Sequence, residues 1–124
     1  MRKVIKVLDA VTATTTANPV DISGAKRVTL LCNRADHTSG SSTFTAQVGT
    51  GTTFADYKKW ISNANNTNGQ DLTRVSSLVL SANGSDFLTM SAEDVFELIT
   101  VKVTEDTAGT HSAWLILDYA DDQK

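Results

Sequence analysis

The chain has 124 residues, 40% of them hydrophobic and 20% charged, a balance that suits one folded domain and excludes a disordered chain. Its net charge is −3, so it lacks the basic footprint of a protein that binds nucleic acid or an anionic membrane. No stretch approaches the roughly 18 consecutive apolar residues of a membrane span, and the apolar part of the basic start is too short and too broken by charge for an export signal.

The chain reads as short apolar-alternating runs separated by clusters of Gly, Asn, Ser and Asp. Residues 3–11 form the first predicted strand, with Val4, Ile5, Val7 and Leu8 as its apolar surface. Residues 12–18 are a Thr-rich connection, and Pro19-Val20-Asp21-Ile22 is a brief edge segment before a turn. A second main strand covers 26–33, and Arg34 to Ser42 is a loop rich in turn formers. Residues 43–50 alternate cleanly, with Phe44, Ala46 and Val48 on the core side. Residues 54–61 read as one strand anchored by Phe54, Tyr57, Trp60 and Ile61. A polar loop follows over 63–70.

Residues 74–82 read as the next strand, ending at the turn signal Asn83-Gly84. Phe87-Leu88-Thr89-Met90 reads as a short turn or helical piece, and Ser91-Ala92-Glu93-Asp94 as a cap for one helical turn. Residues 96–104 alternate again, and 112–119 form a last strand that is apolar on both faces at Trp114-Leu115-Ile116-Leu117. Such a strand belongs at the centre of a sheet or under a partner. Residues 120–124 are a polar tail. The expectation is an all-β, single-domain antiparallel β-sandwich, jelly-roll-like, of about seven or eight strands over residues 1–124.

Motifs for chemistry are sparse. Cys32 is the single cysteine and lies in the apolar run Val28-Thr29-Leu30-Leu31-Cys32, which predicts a buried thiol and no internal disulfide. There is no Gly-x-Ser-x-Gly elbow. His37 and His111 could each meet Asp36 or a serine in space, but both read as solvated loop histidines. Cys32, Asp36 and His37 do not match a zinc spacing, and Asp118, Asp121 and Asp122 read as a solvated acidic surface. The expectation is no enzyme, no cofactor and no metal. Trp60, after Lys58-Lys59, could be exposed as a stacking platform for sugar, whereas Trp114 belongs to the core.

The runs Gly24-Ala25-Lys26-Arg27-Val28-Thr29-Leu30, Arg34-Ala35-Asp36-His37-Thr38-Ser39-Gly40, Leu72-Thr73-Arg74-Val75 and Leu80-Ser81-Ala82-Asn83-Gly84-Ser85 resemble those of small β-rich virion proteins of tailed bacteriophages. The resemblance covers most of the chain. It implies a decoration (cement) protein, made in the bacterial cytoplasm, that binds the major capsid protein on the capsid exterior as a dimer or trimer. It carries over no catalytic residue. A tail- or fibre-associated protein and a carbohydrate-binding sandwich are the alternatives.

The candidate partner contacts are Arg2, Lys3, Val4 and Lys6 on the first strand, Asp36 and His37 in the first long loop, Trp60, and Asn65 and Asn66 in the second. The first strand fits two placements equally: an edge strand in its own sheet, or an arm along a neighbour's sheet edge.

Overall fold

The computed structural model describes residues 1–62, 73–90, 96–105 and 109–120. Its strands are β1 (Arg2–Val11), β2 (Thr15–Thr16), β3 (Val20–Asp21), β4 (Arg27–Ala35), β5 (Ser42–Thr50), β6 (Thr53–Asp56), β7 (Trp60–Ser62), β8 (Thr73–Val75), β9 (Leu78–Leu80), β10 (Gly84–Thr89), β11 (Leu98–Glu105) and β12 (Thr110–Asp118). They form two antiparallel sheets in a sandwich-like arrangement. The first sheet runs β1-β12-β4-β10-β7-β8, and the second runs β2-β11-β5-β6, with β3 also on β11 and β9 on β5.

Alternation along the strands explains the layering. In β4, Val28, Leu30, Cys32 and Arg34 are buried while Thr29, Leu31 and Asn33 are only half-buried. In β12 the inward set is His111, Ala113, Leu115 and Leu117, and Ser112 between the first two is buried as well. The second sheet contributes Phe44, Ala46 and Val48 from β5 and Ile99, Val101 and Val103 from β11. Successive side chains point to opposite faces, so each set lines one face of its sheet. Each fully buried aliphatic contributes about 1.5–3 kcal/mol of transfer free energy.

Several expectations need correction. The strands number twelve among the described residues rather than seven or eight, because two predicted strands each divide and change sheets, the Thr-rich connection supplies β2, and β10 forms where a turn was expected. Residues 54–61 become β6 in the second sheet and β7 in the first, with Tyr57, Lys58 and Lys59 crossing between them. Residues 74–82 become β8 in the first sheet and β9 in the second. Phe87, Leu88 and Thr89 are not a turn or helix but strand β10, paired with Leu31, Leu30 and Thr29. The proposed helical cap at 91–94 lies outside the described residues.

The first strand pairs within its own sheet as an edge strand: Arg2 pairs with Asp118, Val4 with Ile116 and Lys6 with Trp114. The register slips after Lys6 and again after Leu8. Ala10 there has φ 50°, and its N–H donates to Ser112 Oγ at 3.0 Å. Gly49 needs its missing side chain, because a Cβ there would lie 1.9 Å from the Thr53 carbonyl oxygen.

Candidate functional site

The outer face of the first sheet is built from residues whose strand partners share its side. Cross-strand partners point to the same face. One row across the sheet is Arg2, Asp118 and Arg27; the next is Val4, Ile116, Thr29, Thr89, Ile61 and Arg74; a third is Lys6, Trp114, Leu31 and Phe87. Val4 is 58% exposed and Phe87 46%. Trp114, Ile116 and Leu31 are half-buried. Trp114 therefore does not belong to the core, as its aliphatic flanks suggested, but stands on the outward side of β12.

Charges frame this apolar band. Arg2 Nε donates to Asp118 Oδ1 at 2.8 Å and Arg27 Nε to Asp118 Oδ2 at 3.2 Å. The hydrogen bond from Arg2, then that from Arg27, holds the Asp118 carboxyl below the usual carboxylate range against the opposing effect of desolvation. Lys6 Nζ sits 5.2 Å from the Trp114 ring centroid and 2.8 Å from Asp9 Oδ1. Lys3 pairs with Leu117 and is exposed.

The second sheet has a different exterior. Thr43, Thr45 and Gln47 on β5 face outward beside Thr100, Lys102 and Thr104 on β11. A polar cleft of about 340 Å³ lies there, lined by Thr45, Gln47, Asp56, Thr100 and Lys102. Gln47 Nε2 donates to Asp56 Oδ1 at 3.0 Å. Beside β6, an apolar groove of about 590 Å³ is lined by Val48, Phe54, Ala55 and Phe96.

The first long loop is held by a side chain that sequence reading passed over. Arg34 is 1% exposed and donates to the carbonyls of Gly40 (3.0 Å), Leu80 (2.8 Å) and Ser39 (3.0 Å). Its sequence signal is parity, since Arg34 lies two residues beyond Cys32 on the inward side of β4. Gly109 leaves room for it: a Cβ there would sit 2.9 Å from Arg34 Nε. Asp36, at φ 54°, accepts a hydrogen bond from Thr110 Oγ1 at 2.9 Å. The His37 N–H donates to Asn83 Oδ1 at 2.8 Å. Both Asp36 and His37 thus shape the loop.

His111 does meet a serine. It is fully buried rather than solvated, and Nδ1 lies 3.1 Å from the Val11 carbonyl. That carbonyl only accepts, so Nδ1 carries a proton, and in the neutral ring Nε2 accepts from the buried Ser42 Oγ. The pair resembles a nucleophile and base in composition, but both members are 0% exposed. Its evident effect is to satisfy polar groups between the sheets. Cys32 is likewise 0% exposed, and burial, with Asp86 nearby, pushes its thiol pKa up, the setting of an inert structural cysteine.

Trp60 is no sugar platform. It is fully buried and packs edge-to-face on Tyr57, with centroids 4.9 Å apart. Asn65 and Asn66 lie outside the described residues. The structure therefore brings Arg2, Val4 and Lys6 together on one face, places Asp36 and His37 in a separate loop, and removes Trp60 to the core.

No family model and no curated protein matches this chain. Among solved structures it is similar to the SPBc2 prophage-derived protein YomS, with TM-score 0.62 and 9% identity over 95% of this chain and 94% of that one. A Bacillus endospore appendage protein of disulfide-linked pili aligns at TM-score 0.45 and 16% identity, covering 96% and 89%. PirA aligns at TM-score 0.42 and 13% identity, covering 94% and 92%. The likeness to YomS is one of fold.

Proposed function

We propose that this chain is a non-enzymatic structural protein of a tailed-phage virion, a decoration protein that binds the major capsid protein on the outside of the shell. The observation that carries this reading is where the chemistry lies. Aromatic, aliphatic and Arg side chains share an open sheet face around Trp114 and Phe87, while the hydrogen-bonded pair Ser42 and His111 is sealed between the sheets. The end-to-end fold likeness to a prophage-derived protein supports the phage setting.

The physics of the role fits the chain. With one cysteine, it holds itself together by packing, as a protein folded in a reducing cytoplasm must. Assembly as a dimer or trimer multiplies modest contacts through avidity. The test is the copy number of this chain against the major shell protein in purified particles, by quantitative mass spectrometry, with the heat resistance of heads made with and without it. Near-stoichiometric copies and more resistant decorated heads are expected. A few copies per particle would move the protein to the tail, and equal heat resistance would remove the cementing role.

A further inference from the structure

We infer that the outer face of the first sheet is the docking surface of this protein, and that it takes a protein surface with an apolar centre bordered by carboxylates. The inference rests on the decoration reading and names the contact that reading requires.

The composition of this face is that of an interface centre rather than of a solvated exterior. Val4, Ile116, Leu31, Trp114 and Phe87 lie on adjacent strands in two neighbouring rows, so their apolar surface is continuous. Trp and Arg are enriched among the residues that carry binding energy, and Phe among interface residues generally. The exterior of the second sheet is mostly polar by contrast, with Thr43, Thr45, Thr100 and Thr104 and with Val79 exposed beside Thr43.

Charge selects the occupant. The chain as a whole is −3, yet Arg2, Arg27 and Lys6 all border the apolar rows. Their carboxylates are Asp118, shared by the two arginines, and Asp9, on Lys6. These three cations share two carboxylates, and Arg74 stands exposed at the far end of the second row, so the face is locally positive. A second copy docked by the same face across a two-fold axis would bring two positive borders together. A partner with carboxylates around an apolar centre would pair with all three cations. The free edge of β1 is a poorer contact: it bears Lys3 and Lys6, and its register slips after Lys6. Charged residues and bulges are the devices that keep an edge from pairing.

The experiment uses the full-length chain and phage heads assembled without it, with binding measured by co-sedimentation. Phe87→Ser and Arg27→Glu alter the face at exposed positions; Lys102→Glu makes the same kind of charge change on the second sheet. Denaturation midpoints check that each variant folds as the parent does. Each face variant should weaken binding about ten-fold or more, the scale of a central contact. Lys102→Glu should stay within about two-fold, as surface changes away from a contact do, and added salt should weaken the parent.

Parent binding with both face variants equally tight would overturn this face and leave the decoration reading standing. A parent that fails to bind heads would overturn both. A dimer in sedimentation equilibrium that both face variants dissolve would assign the face to a second copy instead. Binding to vesicles of anionic lipid but not to heads would make the occupant a membrane surface and overturn the inference.

Discussion

The two sheets bury similar inner faces and present opposite outer ones. Outside the first sheet, β12 shows Trp114 and Ile116 and β4 shows Leu31. Outside the second, β5 shows Thr43, Thr45 and Gln47, and β11 shows Thr100, Lys102 and Thr104, with Val79 of β9 the exposed apolar side chain beside Thr43. Both arrangements satisfy the ladder and the core equally, so folding alone does not call for the difference. A Thr exterior is what a two-layer sandwich needs for water. An apolar exterior adds nothing to the monomer and exposes surface that favours association.

Adjacent leucines on β4 give the strongest test of the contrast. Leu30 is 0% exposed and Leu31 only half-buried on the other side. Leu30→Ala should cost about 2–5 kcal/mol of unfolding free energy through lost transfer energy and a cavity. Urea titration monitored by fluorescence measures it. If Leu31→Ala costs as much, the outer face is covered in solution and the contrast fails.

Ser42→Ala comes next. It removes the hydroxyl that donates to His111 Nε2 and leaves a buried acceptor unsatisfied. A loss of about 1–3 kcal/mol in the same assay is expected. No loss would mean that the pair is not the structural tie described above.

Thr45→Ala, on the exterior of the second sheet, should change stability by less than about 0.5 kcal/mol. A larger loss would give that face a structural role and narrow the difference between the two exteriors.

The smallest effect concerns Asp118. Hydrogen bonds from Arg2 and Arg27 lower its folded pKa, so their contribution to stability is present above the ordinary aspartate value. It is lost as pH falls through the lowered folded value. An NMR titration of the carboxyl should show the lowered midpoint, and Arg2→Ala should return it toward normal. An unchanged midpoint would mean that Arg2 does not hold the carboxylate in solution.

Legibility in the sequence followed parity. Phe44, Ala46 and Val48 read as core because polar residues separate them, and the alternation over 96–104 left its core side to the structure, which buries Ile99, Val101 and Val103. The same rule, carried further, reaches Arg34 from Leu30 and Cys32, and His111 from Leu115 and Ala113. Residue type obscured both, because buried arginine and histidine are uncommon and need partners that only folding brings together. Trp60 was obscured differently. Lys58 and Lys59 make its surroundings look polar, but they occupy the crossing between sheets, and β7 begins on the core side.

The sequence by itself determined the all-β class, the buried thiol, the clean alternation of β5 and β11 and the interior place of the last strand. Each of these depends on period-two patterning or on composition, which are local. Tertiary structure alone decided which short strands join which sheet, the placement of β1 beside β12 and the meeting of Ser42 with His111. It also decided the gathering of Val4, Trp114, Leu31 and Phe87 on one face. Those outcomes depend on pairing between residues far apart in the chain, and pairing is set by the joint burial of both sheets rather than by any one segment.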